Sequence, residues 1–561
     1  MMNIKQNKGL FALLLLAVLT ACTSEDNITT SKQLIEVGGD KLKIVINEEP
    51  FDVETTARTR AGGVAQAIPA GTVDLGEGLE AEVSISQGTP APKTRATVVS
   101  DGHYNIYAYD ANTNQMLIGP NKKLSGNVVG GVFTPDAGSR LELEAGTYKF
   151  VCCTDGVGLD PTYGTGSLGV SINVKKEMIG ATAPITLSGD GQQLVFLMHH
   201  RESRFRFRLI GYTNQLTDVK AQIGVWTGSY RHTYMKIPTG FQGPSTAIGW
   251  YYYAEEQPIQ ATPARQSTAY PLANEFESDG YSYLSCVDCS LCFNLSGTIY
   301  GKTVNIQNKR LDFVHGAAIK DNGSYTINLK LKPTPALYLF QDGTCGALAE
   351  KGSRTPIAVV VTEKTATEKG LAMALKSNGT GVTGTDYYEY LIRGSGEDFD
   401  DMHGYDYTWT TNYYASPAAF ASFGKTVPTF PPGDGFGPTY YAAGHYVPDV
   451  TVTGANVGKW FLPSAGQWKK TLMKFGNLVM PSSYTMTYPK GSQIPWSSSE
   501  LVTAFTNAGA TLPFDKPYAV SGTINGNGAP VFLYLSASGM AWGWDMFCNS
   551  ITGYVLPFVY F

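Results

Sequence analysis

The stretch LEAEVSIS, residues 79–86, alternates apolar and polar side chains without interruption. Because successive side chains of a β-strand point to opposite faces, this period of two predicts a strand with one buried face. We expect that buried face to carry Leu79, Ala81, Val83 and Ile85. The next stretch, GTPAPKTRATVV (88–99), contains prolines that interrupt regular structure, so Arg95 should lie on an accessible loop.

Similar alternating segments recur along the first 335 residues. Short strands that are separated by turn residues are typical of β-sandwiches. The segments are HYNIYAYD (103–110), LELEAGTYKFVCC (141–153), LVFLMHHRESRFRFRLIG (194–211) and GSYTINLKLKP (323–333). We therefore expect two β-sandwiches, with boundaries near residue 201 and near residues 333–335.

The composition is that of an extracellular β protein. Only 16% of the 561 residues are charged, and the 33 Tyr and 25 Phe favour strands. The length predicts about three or four domains. A net charge of −5 leaves no electrostatic footprint for nucleic acid, so we expect no nucleic-acid partner.

The first residues have the layout of a bacterial secretory signal. Lys5 and Lys8 precede an apolar run (11–19) that is too short to span a bilayer. The residues LTAC (19–22) match a lipobox, which predicts removal of the signal and lipidation of Cys22. Acyl chains would then hold the protein at the membrane, because each buried CH₂ contributes about 0.8 kcal/mol. The alternative is an ordinary signal peptide with an incidental cysteine.

The run SCVDCSLCF (285–293) has cysteines at a spacing found in some metal sites. Zinc needs a fourth ligand, and no nearby Cys or His supplies one. Three-residue steps would also place Cys286 and Cys292 on the face of a strand opposite to Cys289. Buried thiols or a local disulfide are therefore favoured, and we expect no metal site.

From residue 336 onward the pattern changes to short strands, aromatic loops and helices, which predicts an α+β domain. The segment VGKWFLPSAGQWKKTLMKFG (457–476) should form a turn and then a helix with apolar Trp468, Leu472 and Met473. The residues GYVLPFVYF (553–561) predict a core-forming strand rather than a loose tail.

Residues 1–335 resemble the fimbrillin (Mfa-like) family, whose members are subunits of type V pili of Gram-negative anaerobes. The resemblance rests on the order of the parts, namely the lipobox, a leader strand, an Arg-Ala junction, YNIYAYD, AGTYKF, a strand that ends at His199 and His200, and GSYTINLKL. It implies a mainly β fold with two tandem transthyretin-like β-sandwich domains. The partners that it implies are other pilin subunits and an arginine-specific protease.

The fimbrillin resemblance also implies a route of maturation. The protease cuts the leader, the leader strand departs, and a strand of a neighbouring subunit fills the groove by donor-strand exchange, because open sheet edges demand a partner. We expect the cut at Arg95-Ala96, which would lift the strand 79–86 out of the first sandwich. The runner-up is Arg60-Ala61, which would leave that strand in place and keep the groove closed.

Residues 336–561 resemble the C-type-lectin-like modules through KWFLPSAGQW (459–468) and PWSSSE (495–500). Gln467 and Pro495 depart from that pattern, which has an acid and a Tyr at these positions. The resemblance implies a binding domain in which Trp460, Trp468 and Trp496 belong to the core. A subunit that accepts a strand and donates none would terminate a polymer, so we expect a minor subunit at the tip or in an accessory position.

The predicted organisation has five parts. They are a lipoprotein signal peptide (1–21), a propeptide with a displaced strand (22–95), two β-sandwiches (96–201 and 202–335) and a C-type-lectin-like tip or binding domain (336–561).

A candidate ligand surface in the last domain combines acids with aromatic residues. Carboxylates can hold Ca²⁺, and aromatic faces can pack on sugars, so the expected partner is a glycan or a protein on a host or bacterial surface. The alternative is a solvated acidic loop over a packed aromatic layer. The candidate residues are Asp398, Asp400, Asp401, Asp406, Tyr405 and Trp409, with Glu397, Tyr407, Tyr413 and Tyr414 beside them.

No arrangement of residues predicts catalysis. The lectin-like fold is shared with formylglycine-generating enzymes, which need a closely placed pair of cysteines, whereas Cys345 and Cys548 are far apart in this sequence. PWSSSE also lacks the G-x-S-x-G pattern of a nucleophile elbow. Two hypotheses remain, a fimbrial subunit assembled by strand exchange and a surface lipoprotein that binds or processes a glycan without polymerising.

Overall fold

A computed structural model of the chain shows a mainly β protein. The residues that it describes are 34–39, 42–54, 67–89, 97–159, 168–170, 177–188, 191–226, 230–232, 234–236, 241–242, 245–247, 252–284, 290–312, 319–333, 336–382, 398–410, 438–487, 490–524, 529–544 and 552–561. None of the helices in these ranges is long and apolar enough to cross a bilayer.

Fifteen strands precede residue 201. They are β1 (Leu34–Val37), β2 (Leu42–Glu48), β3 (Ile68–Asp74), β4 (Leu79–Gln87), β5 (Thr97–Val98), β6 (Gly102–Asp110), β7 (Lys122–Val129), β8 (Val132–Pro135), β9 (Arg140–Glu144), β10 (Gly146–Thr154), β11 (Val157–Leu159), β12 (Leu168–Val170), β13 (Met178–Ala181), β14 (Ile185–Leu187) and β15 (Gln192–His200).

Fourteen strands follow in the middle of the chain. They are β16 (Ser203–Gly211), β17 (Thr217–Val225), β18 (Tyr230–His232), β19 (Tyr234–Lys236), β20 (Phe241–Gln242), β21 (Ser245–Ala247), β22 (Tyr252–Tyr253), β23 (Gln257–Pro258), β24 (Arg265–Gln266), β25 (Asn274–Glu277), β26 (Ser282–Leu284), β27 (Leu291–Ile299), β28 (Lys302–Arg310) and β29 (Ser324–Pro333).

The described C-terminal part mixes strands and helices. Its strands are β30 (Tyr338–Phe340), β31 (Cys345–Gly346), β32 (Pro356–Thr362), β33 (Leu371–Ala374), β34 (Thr380–Val382), β35 (Trp460–Phe461), β36 (Ile494–Pro495), β37 (Tyr518–Ile524), β38 (Ala529–Leu535), β39 (Gly539–Trp544), β40 (Thr552–Tyr554) and β41 (Phe558–Tyr560). Its helices are α1 (Gly404–Trp409), α2 (Pro438–Gly444), α3 (Ala465–Gly476) and α4 (Ser499–Asn507).

The first sheet closes on itself into a sandwich. Its order is β1-β9-β7-β6-β10-β13-β15-β2-β5, with β14 beside β10 and β8 beside β7. Only residues 38–41 separate β1 from β2, yet the two strands lie near opposite ends of this order, so the sheet must fold back on itself. The enclosed core contains Ile106, Phe150, Leu194 and Phe196, each fully buried.

A second sandwich is built from two sheets. One has the order β24-β25-β16-β29-β4-β3, and the other has the order β22-β17-β27-β28. Phe207 and Phe293 meet between the two sheets, with ring centroids 6.4 Å apart. Sheet membership changes between β15 and β16, because β15 lies in the first sandwich and β16 in the second.

The strand predicted at residues 79–86 is present, but its place in the fold differs from our expectation. β4 pairs with β29 of the second sandwich over nine residues, from Gln87 opposite Tyr325 to Leu79 opposite Pro333. The prediction that it fills the first sandwich is therefore wrong. The period of two fixes which side chains point inward, but it does not specify the partner strand, which lies about 240 residues away in the sequence.

Strand β3 forms the outer edge of the same sheet, next to β4. Its pairing with β4 shifts register between Pro69 and Gly71, which marks a β-bulge. Gly71 has a φ of +88°, a backbone angle that favours glycine at this irregular position.

The C-terminal part contains two six-stranded sheets, β31-β30-β32-β33-β41-β35 and β34-β40-β37-β38-β39-β36. Strand β41 lies inside the first of these sheets, paired with β33 on one side and with β35 on the other. Phe558 and Phe561 are buried there, as predicted for a core-forming segment. Apolar side chains of this part form one continuous cluster with the core of the second sandwich.

Helix α3 buries two of the three apolar residues that the sequence analysis names for it. Trp468 and Leu472 are fully buried, and Trp460 and Trp496 outside the helix are also buried, at 6% and 5% exposure. The prediction for Met473 is wrong, because its side chain is 50% exposed. Residues 468, 472 and 475 follow the three- and four-residue spacing of one helix face, and Met473 lies about 100° away from that face.

Gln467 satisfies several backbone groups at the start of α3. Its Oε1 accepts a hydrogen bond from the backbone N–H of Ser464 at 2.8 Å. Its Nε2 donates to the carbonyl oxygen of Met402 at 3.1 Å and to the hydroxyl of Tyr560 at 2.8 Å. An amide, with one acceptor and one donor group, is therefore suited to the position where the lectin-like pattern has an acid.

We predict that Gln467→Glu destabilises the C-terminal part. The new carboxylate oxygen would face the Met402 carbonyl oxygen without a proton to share, which should lower the free energy of unfolding by about 1–3 kcal/mol at neutral pH. Urea denaturation measures this change. Lys470→Ala, on the exposed side of the same helix, is the control and should stay within about 0.5 kcal/mol of the wild type. Equal stability of Gln467→Glu and the wild type would contradict this account.

Candidate functional site

Residues 22–95, which the sequence analysis predicts to be a leader and which we call the leader below, contribute strands to both sandwiches. The leader's described strands β1 and β2 belong to the first sandwich, and β3 and β4 belong to the second. We call the place of β2 between β15 and β5 the first slot, and the place of β4 beside β29 the second slot. Both slots are filled by the chain's own leader.

The first slot holds β2 in a parallel ladder. Residues 42–48 pair with residues 192–198 of β15, and Asn47 and Glu48 also pair with the short strand β5. Leu42 and Ile46 point into the core of the first sandwich and are at most 4% exposed. Strand β1 pairs with β9 at the other end of the sheet, so the leader covers two edges of this sandwich.

The second slot holds β4 in an antiparallel ladder with β29. The predicted inward residues are confirmed as buried, since none of the four is more than 2% exposed, and they are Leu79, Ala81, Val83 and Ile85. Opposite β4 lie Leu331, Leu329 and Ile327 of β29, which are fully buried. Burial of one Val, Leu or Ile side chain contributes on the order of 1.5–3 kcal/mol, so an empty slot would be costly.

Between its two pairs of strands, the leader crosses the joint between the sandwiches. Phe51 stacks on His200, the last residue of β15, with ring centroids 4.0 Å apart. The guanidinium of Arg204 on β16 lies 5.1 Å from the centroid of the Phe51 ring and donates a hydrogen bond to the Asp52 carbonyl oxygen at 3.0 Å. Asn322 donates to the Pro50 carbonyl oxygen at 3.0 Å. One leader stretch thus contacts both sandwiches.

A close contact between Glu48 and His200 reinforces this joint. Nε2 of His200 lies 2.9 Å from the Glu48 carboxylate, and the His200 side chain is only 9% exposed. The hydrogen bond from His200 lowers the pKa of the Glu48 carboxyl, and hydrogen bonds from Ser100 act in the same direction while burial opposes them. His199 contacts Glu49 in the same way. These hydrogen bonds favour the ionised form of the Glu48 carboxyl at the joint.

Sequence reasoning missed this joint. It placed His199 and His200 at the end of a strand, but nothing in the local pattern linked them to residues 48–52. Two acidic residues at a strand end (Glu48 and Glu49) and a histidine pair at another strand end are a weak indication of a contact, because the sequence does not show that the two ends meet.

The two candidate cleavage loops lie outside the described residues, as does Cys22. Their positions along the chain still determine what each cut separates. Arg60-Ala61 lies between β2 and β3, so a cut there separates only β1 and β2 from the body of the chain. Arg95-Ala96 lies between β4 and β5, so a cut there separates all four leader strands. The expectation that a cut at Arg60 keeps the groove of the first sandwich closed is therefore wrong, because β2 fills that groove.

Several acidic and aromatic candidates of the C-terminal part have partners within the fold. Asp401 is buried, and its Oδ1 accepts hydrogen bonds from the backbone and ring of His403 at 2.9 and 2.7 Å. Asp400 pairs with Lys469 at 2.7 Å. Trp409 donates to the Trp460 carbonyl oxygen at 2.8 Å. These residues serve local packing.

The remaining candidates of that surface also have local partners. Tyr405 packs against Phe461 and Tyr560, Asp398 accepts a hydrogen bond from the backbone of Asp400, and Asp406 lies 3.5 Å from the Thr410 hydroxyl. Across the described ranges, no group of three or more His, Cys, Asp or Glu residues could hold a metal ion. Glu397, Tyr413 and Tyr414 lie outside the described residues.

Of the cysteine run at 285–293, only Cys292 is described. It is a free, buried thiol on β27, and burial raises its pKa to about 11. Cys286 and Cys289 lie outside the described residues.

Comparisons with known proteins give structural neighbours only. No family model matches the chain, and no curated protein matches it. It is similar to a candidate cell adhesion protein from Bacteroides fragilis, at 13% identity and a TM-score of 0.29, over 53% of this chain and 94% of that chain. A second candidate cell adhesion protein, from Bacteroides ovatus, matches at 11% identity and a TM-score of 0.29, over 51% of this chain and 91% of that chain.

A third neighbour is the tip fimbrial protein Mfa3 from Porphyromonas gingivalis with a C-terminal truncation. It matches at 10% identity and a TM-score of 0.24, over 42% of this chain and 92% of that chain. The neighbours are thus adhesins and fimbrial proteins, of the kind that the fimbrillin resemblance names.

We predict that the joint weakens in acid. Because the folded-state pKa of Glu48 lies below its usual value of 4.5, the hydrogen bonds to its ionised carboxylate stabilise the fold above about pH 4.5, and this stabilisation is lost as the pH falls through the lowered pKa. Glu48→Gln should therefore lose stability near pH 7 and show a smaller further loss in acid than the wild type. Urea denaturation between pH 3 and pH 7 tests this.

Glu36→Gln is the matched control for this experiment. Glu36 lies on β1 of the same leader, and its carboxylate is exposed, 4.0 Å from Arg140. Its acid dependence should follow the wild type. Identical pH profiles for Glu48→Gln and the wild type would contradict the role of the Glu48–His200 pair.

Proposed function

We propose that the chain is a minor subunit of a cell-surface fimbria, assembled by proteolytic removal of the leader and strand exchange. The observation that carries this proposal is that one continuous leader, flanked by an arginine loop, completes both sandwiches with buried strands. Separating such a leader exposes apolar grooves and unpaired strand edges, and another subunit's strand can satisfy both.

The cut that suits this function best is the one at Arg95-Ala96. It separates β3 and β4 as well as β1 and β2, so both slots become available. The partners would be an arginine-specific protease during maturation and other pilin subunits afterwards. Lipidation of Cys22 would hold the precursor at the outer membrane until the cut releases it.

A tip position agrees with the pairing of the C-terminal strands. β41 has partners on both sides, and β40 pairs with β34 and with β37, so neither strand has a free edge to donate. The C-terminal part would act as a binding head for a glycan or a protein on a host or bacterial surface. Such a role involves no catalytic step.

The competing proposal is a surface lipoprotein that binds a glycan or a host protein and never polymerises. It is favoured by the occupied slots of the uncut chain, because the leader fills both of them and the inward side chains of β2 and β4 are buried there. The two proposals differ in the covalent state of the mature protein.

We expect the mature protein on the cell surface to begin at Ala96, because this cut frees both slots. N-terminal sequencing of the surface protein and mass spectrometry of purified fimbriae test this. Arg95→Ala should keep the chain out of fimbriae, whereas Arg60→Ala, the matched control in the other arginine loop, should assemble normally.

Two other results would change the conclusion. A mature start at Ala61 would restrict strand exchange to the first slot. A mature protein that retains lipidated Cys22 and occurs only as a monomer would contradict the fimbrial proposal and support the non-polymerising lipoprotein.

A further inference from the structure

We infer that the second slot selects the charge pattern of the strand that enters it, and accepts a strand with two carboxylates on its outward face followed by small hydroxyl residues. This inference rests on the proposed strand exchange and names the chemistry of the partner strand. It concerns the outward face of β4. Strand exchange alone does not determine which side chains that face must carry.

The inward face of the slot gives little discrimination. Ala81, Val83 and Ile85 lie opposite Leu331, Leu329 and Ile327, and all of these side chains are buried and apolar. Any strand with alternating apolar residues would bury similar surface here. Most strands of β-sandwiches share that alternation, so the inward face alone cannot distinguish one subunit from another.

The outward face shows a graded pairing from charged to neutral. Glu80 lies opposite Lys332 and Glu82 opposite Lys330, whereas Ser84 lies opposite Asn328 and Ser86 opposite Thr326. The Lys332 ammonium contacts the Glu82 carboxylate at 2.5 Å. At the other end, Asn328 donates a hydrogen bond to the Ser86 hydroxyl at 2.9 Å.

The positive charge at one end of the slot belongs to the body of the protein and stays when β4 leaves. Lys332 lines a cavity of about 530 Å³ together with Lys470, Lys474 and Glu363. Glu363 already pairs with Lys330 at 3.0 Å. The one carboxylate of this cavity is thus engaged, and removal of Glu82 leaves Lys332 without the acidic partner that it has in the uncut chain.

This charge pattern also fixes the register and the direction of an incoming strand. A slip of one residue would turn the apolar side chains outward. A slip of two residues in one sense, or entry in the opposite direction, would place a carboxylate beside Asn328 and leave Lys332 without a carboxylate opposite it. A slip of two residues in the other sense would put Ser84 opposite Lys330 and move Glu80 beyond the end of β29. Only the antiparallel register of β4 puts both carboxylates at the lysine end.

Peptide exchange into the cut protein tests this inference. The full chain is cut after Arg95 by an arginine-specific protease, and mass spectrometry confirms the product. A fluorescent peptide with the sequence of residues 79–87 is then added in excess, and its incorporation is followed by anisotropy and native mass spectrometry. A second peptide carries Glu80→Lys and Glu82→Lys, and a third carries Val83→Lys on the inward face.

We expect the native peptide to enter and the charge-reversed peptide to bind about tenfold more weakly, since cross-strand charge pairs contribute up to about 1 kcal/mol each and like charges repel. Lys332→Glu in the protein should invert this preference. Lys332 is 44% exposed on the side-chain scale, so the substitution does not disturb the core. Equal binding of the native and charge-reversed peptides would overturn the inference.

The same experiment separates this inference from the proposed function. If the native and charge-reversed peptides enter equally while the Val83→Lys peptide stays out, strand exchange stands and charge selection fails. If no peptide enters, or if the Val83→Lys peptide enters as well as the native one, the slot does not exchange strands. That result would overturn both the proposed function and the inference.

Discussion

Backbone pairing between one leader segment and two separate sandwiches is the interaction on which the rest of the structure depends. β2 lies along seven residues of β15, and β4 lies along nine residues of β29. Without these strands, β15 and β29 would carry unpaired N–H and C=O groups beside an open apolar core, which is unfavourable in water and promotes pairing with other chains. In the uncut chain, the leader therefore pairs these backbone groups. If the leader is lost, another strand has to take its place.

The leader also couples the two sandwiches to each other. Its stretch at residues 49–54 packs Phe51 on His200 and under Arg204, where the last strand of one sandwich passes into the first strand of the next. Because this stretch directly follows β2 in the chain, displacement of β2 and loosening of the joint involve the same residues. A cut leader thus affects the relation between the sandwiches as well as their edges.

Local sequence patterns predicted the elements better than their partners. The alternation at residues 79–86 identified both the strand and its buried side chains, because that information lies in adjacent residues. It could not identify the second sandwich as the host, since the pairing of Ile85 with Ile327 depends on contacts far apart in the sequence. The helix face of Trp468 and Leu472 was predicted for the same local reason, whereas Met473 was placed one position too far around the helix.

The candidate site shows the same division. Inward residues of β4 were predicted from the sequence, but the joint at Phe51 was not, because stacking on His200 across about 150 residues leaves no periodic trace. The acidic residues near 400 were expected to face a ligand, yet Asp401 is buried against His403 and Asp400 is held by Lys469. The sequence shows where these carboxylates lie along the chain. It does not show that residues at the start of helix α1 and in helix α3 contact them.

Strand β3 has a protective consequence for the uncut molecule. Its proline and bulge at residues 69–71 interrupt the regular spacing of donors and acceptors along the outermost edge of the second sandwich. Two molecules that meet before maturation therefore find an irregular border that is poorly suited to stacking side by side. Removal of the hairpin replaces that border with the long, regular β29, so a single hydrolysed peptide bond would convert a surface that resists self-association into one that requires it.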